Sequence, residues 1–182
     1  MKIIRVGGSL LAEHEILIDF CFFLQNRTGE GILLVPGGGI YSRRVKRHQD
    51  VAGLSESQAH WMAIKSTEIM GVLLCELIAK ATWTTIPKLV LPNNVEVIFP
   101  YSYLKHYNHL PHSWKATSDS IAVRVAQDLG IELVIKVTAG SESLNLAVDP
   151  LARGFGDKLG MKWRIISART GKFLERFKDA LK

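Results

Sequence analysis

Small-residue turns recur at three strand-to-helix junctions of this 182-residue chain. Gly7-Gly8-Ser9 follows a first apolar run, and Pro36-Gly37-Gly38-Gly39 follows a second. His112-Ser113-Trp114-Lys115-Ala116-Thr117-Ser118-Asp119-Ser120 opens a later helix. A backbone without Cβ atoms lets an anion come close, and the first N–H groups of the helix point at it. Three such turns together imply a cleft that holds phosphates. The triplet Gly37-Gly38-Gly39 is the most telling, because a helix entry needs one small residue and three cost chain entropy. Neither the G-x-x-x-x-G-K-[ST] phosphate loop nor the G-x-G-x-x-G dinucleotide fingerprint is present.

Charged residues stand near these turns. Arg5 lies two residues before Gly7, at the end of the first strand, where a cation could neutralise charge on a transferring phosphoryl group. A salt-bridged strand residue is the plain alternative. Asp119 sits in the first turn of its helix, where a carboxylate also complements the helix dipole. If it faces the same cleft as Arg5, it could orient a cation or hold magnesium. Thr117 or Ser118 reads as the N-cap. His106, His109 and His112 recur every third residue around Pro111. No cysteine or carboxylate pattern joins them, so they are not read as a metal site. No Ser-His-Asp or Cys-His arrangement stands out.

The elements that must position these residues alternate. Strands are expected at Lys2–Val6, Ile32–Val35, Lys88–Leu91, Val95–Phe99, Glu132–Val137 and Trp163–Ile166. Short continuous apolar runs separated by helices predict an α/β fold, a three-layer α-β-α sandwich with a mainly parallel central sheet. Helices are expected over Glu15–Gln25, from Gly39 to His48, and from Ser55 to Lys80, with Ser55 and Gln58 forming a capping box. The last is apolar over a wide surface, as for a helix central to the core or shared with a second subunit. Tyr101–Lys115 reads as a long loop with at most one short helix, and Thr138–Asp149 lacks clear periodicity. In open α/β sheets ligands bind beyond the carboxyl ends of the strands, where the three turns fall.

Composition sets the class. Hydrophobic residues make up 47% and charged residues 22%, which suits one ordered domain over residues 1–182. The apolar run near Ile16–Leu24 is too short to span a bilayer and no signal peptide precedes it, so a cytoplasmic protein is expected. Cys21 and Cys75 read as core thiols in a reducing compartment. The net charge of +6 suits an anionic partner. The densest basic run, Arg43-Arg44-Val45-Lys46-Arg47-His48, is read first as a solvated helix face, then as a site for small phosphorylated ligands, and last as a nucleic-acid patch.

Arg5-Val6-Gly7-Gly8-Ser9, Val35-Pro36-Gly37-Gly38-Gly39 and Thr117-Ser118-Asp119-Ser120-Ile121-Ala122 together resemble the amino acid kinase superfamily. Gly53-Leu54-Ser55-Glu56, Ala59-His60-Trp61, Leu110-Pro111-His112-Ser113-Trp114 and Val148-Asp149-Pro150 are similar to a narrower subgroup. It comprises kinases of an aminomethylfuran methyl phosphate in methanofuran-type cofactor synthesis, and bacterial relatives in one-carbon metabolism. The resemblance implies phosphoryl transfer from Mg-ATP. It places Gly7, Gly8 and Ser9 at the transferring phosphate. Gly37, Gly38 and Gly39 fall on the acceptor side, with His112, Ser113, Trp114, Thr117 and Ser118 beside them. Asp119 matches the acidic residue that organises the catalytic cations, here Arg5 and Lys158. Lys136 and Thr138 are expected to hold nucleotide phosphates. Two departures stand out. The family usually has lysine at the position of Arg5, and an Asp-Gly loop where this chain reads Lys136-Val137-Thr138-Ala139-Gly140-Ser141.

These residues lead to a small-molecule kinase acting on a phosphorylated or carboxylated metabolite, as a homodimer with the Ser55–Lys80 helix in its interface. The two departures motivate a second reading, a non-catalytic relative that binds a phosphorylated ligand or an active subunit. A nucleic-acid module rests on net charge alone.

Overall fold

A computed structural model describes residues 1–107 and 110–182, except for the side chains of residues 11 and 12. Six strands form one sheet: β1 (Lys2–Val6), β2 (Ile32–Pro36), β3 (Thr82–Thr84), β4 (Val95–Ile98), β5 (Leu133–Thr138) and β6 (Lys162–Ser167). Their spatial order is β3-β4-β2-β1-β5-β6, and every pair is parallel. The chain builds outward from β1 in both directions, so its centre is a topological switch point, where such sheets bind ligands.

Successive strand residues face opposite layers. Ile4 and Val6 enter a core with Phe20, Phe173 and Phe177, from α1 (His14–Asn26) and α8 (Phe173–Ala180). Ile3 enters the opposite core, with α4 (Pro100–Tyr107) and α5 (Ser118–Asp128). Burial on both faces explains why β1, β2 and β5 read as continuous apolar runs.

The remaining helices are α2 (Gly39–Ala52), α3 (Glu56–Leu77), α6 (Leu144–Ala147) and α7 (Pro150–Lys158). α2 ends at Gly53 in the left-handed conformation, φ 67°, a glycine stop signal. The capping box of Ser55 and Gln58 opens α3. That helix serves both cores: Ile64 belongs to one, and Met70 and Leu74 to the other. Met62, Ile69 and Val72 still remain exposed. Its wide apolar surface thus has two internal uses and a residue of uncovered face.

The strand expected at Lys88–Leu91 is absent. Thr82–Thr84 takes the sheet edge beside β4, and the later segment leaves Leu89 and Leu91 exposed while burying Val90. A β-branched and aromatic triplet won over a longer apolar run held between two prolines. Tyr101–Lys115 does contain one short helix, α4, and the segment after β5 contains the four-residue α6.

Candidate phosphoryl-transfer site

Parallel pairing of β1 with β5 puts Arg5 directly opposite Lys136. Both side chains share the α5 face of the sheet. Like charges placed opposite on neighbouring strands repel. α5 supplies the remedy. Thr117 caps it by accepting from the Asp119 N–H at 3.1 Å, which sets Asp119 in the first turn above the strand ends. Lys136 Nζ donates to Asp119 Oδ1 and Oδ2 at 2.8 and 2.6 Å, and to the Ala147 carbonyl. Arg5 Nε lies 2.7 Å from Asp119 Oδ1 as an ion pair, while Nη2 donates to Ser118 Oγ at 2.5 Å. Asp119 and Lys136 are 3% and 4% exposed, so the trio is screened little by water. Burial, with the Arg5 charge next, pushes the Lys136 ammonium down to about 8 against the pull of Asp119.

Asp149 backs the trio. It caps α7 by accepting from the Ala152 N–H at 2.6 Å, and it accepts from Thr117 Oγ1 at 2.6 Å and from Ser120 Oγ. Its own N–H donates to Asp119 Oδ2 at 3.2 Å. One helix cap therefore holds another.

Above the trio opens a cavity of about 360 Å³. Arg5, Lys136, Thr138 and Ser118 line its base, Gly8, Ser9, Gly38 and Gly39 one wall, and Trp114 and Thr117 the other. The N-termini of α2 and α5 both face it, so unpaired N–H groups and two helix dipoles favour an anion there. The glycine turns also meet each other. A Cβ on Gly8 would lie 2.1 Å from the Gly39 nitrogen, and one on Gly37 2.7 Å from the Gly8 nitrogen. Gly7 backs onto the Val137 carbonyl. Part of the glycine excess therefore serves turn-on-turn packing, and part the cavity wall.

The predicted site residues sort cleanly. Arg5, Gly8, Ser9, Gly38, Gly39, Trp114, Thr117, Ser118, Lys136 and Thr138 line the cavity, and Asp119 lies beneath it. Gly7 and Gly37 support it without lining it. His112 stacks on His60, ring centroids 4.6 Å apart, and Ser113 turns back to accept from the Lys115 N–H. Neither lines the cavity.

Lys158 lies apart from this cavity and lines a separate pocket with Leu110, Val123 and Phe155. α7 starts beside Asp149, and Lys158 is nine residues further on, roughly 13 Å along a helix. Lys136 faces Asp119 instead. Its ammonium donates to that carboxylate and to the Ala147 carbonyl. His109 lies outside the described residues; His106 packs against Tyr107. Among the described residues no three His, Cys, Asp or Glu side chains gather as metal ligands.

Sequence reasoning did not single out Ser42, Ala63, Ile64, Thr67, Ala116 or Ile121, which also line the cavity; Arg43 joins them from the basic run. Its run reads first as a solvated helix face and second as a site for small phosphorylated ligands. Its signal was spacing: one helical turn beyond Gly39, it must lie near whatever the glycines face. It is exposed and makes no ion pair or hydrogen bond among the described residues. Ala63 and Thr67 are small residues one turn apart on one face of α3, which leaves room beside them. Asp149 was legible only as part of a motif.

No protein-family model matches this chain. It is similar to the (5-(aminomethyl)furan-3-yl)methyl phosphate kinase of Methanocaldococcus jannaschii, 26% identical over 141 residues, covering 76% of this chain and 65% of that protein. The chain thus spans just under two thirds of that relative's length. Among solved structures it is similar to the uridylate kinase of Archaeoglobus fulgidus, with a TM-score of 0.69 and 18% identity, over 100% of this chain and 95% of that one. The resemblance read from the motifs is borne out by the first of these, and the fold is shared with the uridylate kinase.

Proposed function

We propose that the chain transfers the γ-phosphoryl group of ATP to a small acceptor that already carries a phosphate or carboxylate. The carrying observation is Asp119 pinned between Arg5 and Lys136 at the base of a cavity walled by two glycine turns. Phosphoryl transfer needs in-line positioning and stabilisation of charge on the moving group, with little covalent work by the protein. Arg5 and Lys136 bring two positive charges to one point, and Asp119 offsets one of them and fixes both side chains in place. The acceptor anion lies against the α2 N-terminus, with Arg43 reaching over it. The donor phosphates approach from the β5 side, past Ser9 and Thr138.

The residues present do not form a resident metal site. Both Asp119 oxygens face Arg5 and Lys136, and both Asp149 oxygens are taken by Thr117, Ser120 and the α7 cap. Magnesium would arrive as the counter-ion of the nucleotide. The furan-type acceptor of the Methanocaldococcus relative, itself a phosphate monoester by its name, is the first substrate class to offer. A role in furan-containing cofactor synthesis, and with it in one-carbon metabolism, follows from that acceptor. A cytoplasmic location goes with such a substrate; among the described residues no helix is long and apolar enough to cross a membrane.

A non-catalytic phosphate-binding relative is the second reading. It is favoured by Arg5, whose planar fork is clamped by Ser118 and Asp119 where a mobile ammonium is usual in the family. Calorimetry with Mg-ATP, then product analysis over a panel of phosphate monoesters, separates the two. Turnover in the wild type or in Arg5→Lys supports the kinase. Ligand binding without product in either supports the binder.

A further inference from the structure

At the carboxyl end of β6 a carboxylate of the chain itself sits among donors from three different places. Glu142 Oε1 accepts from the Ser167 N–H at 2.6 Å and faces Thr170 Oγ1 at 3.4 Å. Its Oε2 lies 2.6 Å from Arg176 Nη2. Arg176 Nη1 donates in turn to Thr170 Oγ1, so guanidinium and hydroxyl form one joined cradle. Ser167 is buried, so its N–H has little recourse to water. A backbone N–H, a hydroxyl and a guanidinium converging on two oxygens is the donor set that recognises phosphate as well as carboxylate.

The location matters. Ser167 pairs in register with Thr138, which lines the cavity, and the Ala168 N–H donates to the Thr138 carbonyl at 2.6 Å. The cradle is thus one strand, about 4.8 Å, from the site's edge. The acceptor side of the cavity is closed by α2 and the glycine turns. A phosphoryl donor approaching from the β5 side, as proposed above, would pass the ends of β5 and β6, where Glu142 lies.

We propose that Ser167, Thr170 and Arg176 form a binding site for the oligophosphate tail of the phosphoryl donor, and that Glu142 is an internal occupant the donor displaces. The identity of the ligand rests on the kinase reading; the cradle does not. A surface ion pair that merely fastened the segment after β5 would leave anion affinity untouched.

The test is calorimetric binding of inorganic tripolyphosphate and of ATP, each with and without magnesium, to wild type, Glu142→Gln and the double variant Glu142→Gln/Arg176→Gln. Removing the competing carboxylate should raise affinity for both ligands by about tenfold, since the open state need no longer be populated against it. The double variant should lose that gain. As a check independent of substitution, the Ser167 amide resonance of the wild type should shift on titration with tripolyphosphate. No gain in a folded Glu142→Gln protein, or a Ser167 amide that does not respond, would overturn the proposal. A gain for ATP alone would also overturn it, because the tail would then not be what the cradle holds. Product formation from a phosphate monoester with Glu142→Gln binding unchanged would leave the kinase standing and remove the cradle. Tripolyphosphate gain without turnover would do the reverse.

Discussion

Arg5 and Lys136 stand opposite each other in the parallel register of β1 and β5, and the carboxylate of Asp119 separates them. Two cations side by side in a buried sheet are stable only with a shared counter-charge. The same arrangement leaves one net positive charge at the base of the cavity.

Asp119→Asn should therefore cost both fold and function. Removing one partner of a buried ion pair leaves uncompensated charge, at about 3–5 kcal/mol. Denaturant unfolding should show a loss in that range, and phosphate binding should fall with it. A variant as stable as wild type would mean that the trio is not buried as described.

Anion binding should weaken as pH rises through about 8. The Lys136 ammonium is held down to about 8 by burial and by Arg5. Above that value it becomes neutral, and the trio goes from one net positive charge to none. The sign is thus tighter binding below and weaker binding above. Calorimetric titrations between pH 6.5 and 9.5 (roughly bracketing the shifted value) check it, and Lys136→Gln should flatten the profile.

Gly8→Ala should push the two glycine turns apart, because its Cβ would lie 2.1 Å from one Gly39 backbone atom and 2.4 Å from another. Overpacking of this kind costs about 1–3 kcal/mol and should abolish phosphate binding by moving the cavity wall. Gly53→Ala is the control. Its φ of 67° makes alanine cost roughly 1 kcal/mol, but its side chain meets nothing, so binding should survive.

Arg43→Ala should lower affinity for the acceptor anion roughly tenfold or more, the loss of one charge-assisted contact. Because Arg43 is exposed, stability should stay within about 0.5 kcal/mol. Equal losses for donor and acceptor ligands would place it elsewhere.

The exposed Met62, Ile69 and Val72 of α3 line an apolar groove with Tyr41, Phe99 and Tyr101. We expect this face to be the contact between two copies of the chain. Sedimentation should show a dimer at micromolar concentration, and Ile69→Glu should yield a folded monomer. A wild-type monomer would contradict the expectation.

The layer order, the strands at the core and the place of the cleft were legible in the sequence, because they follow from short-range patterns. Apolar runs, capping residues and turn glycines act within a few residues of themselves, and parallel connectivity then puts Gly8, Gly38 and Asp119 at one end of the sheet. What the sequence could not decide was register and reach. Nothing local says that Arg5 pairs with Lys136 across two strands, so the second cation was sought at Lys158, which the length of α7 carries away. The edge strand was lost the same way, since Lys88–Leu91 and Thr82–Thr84 both suit a strand and only docking against β4 chose between them. Glu142 acquires meaning only from neighbours more than twenty residues off. Tertiary packing made those contacts, because charge acts through space and the pattern along a chain records only what is near.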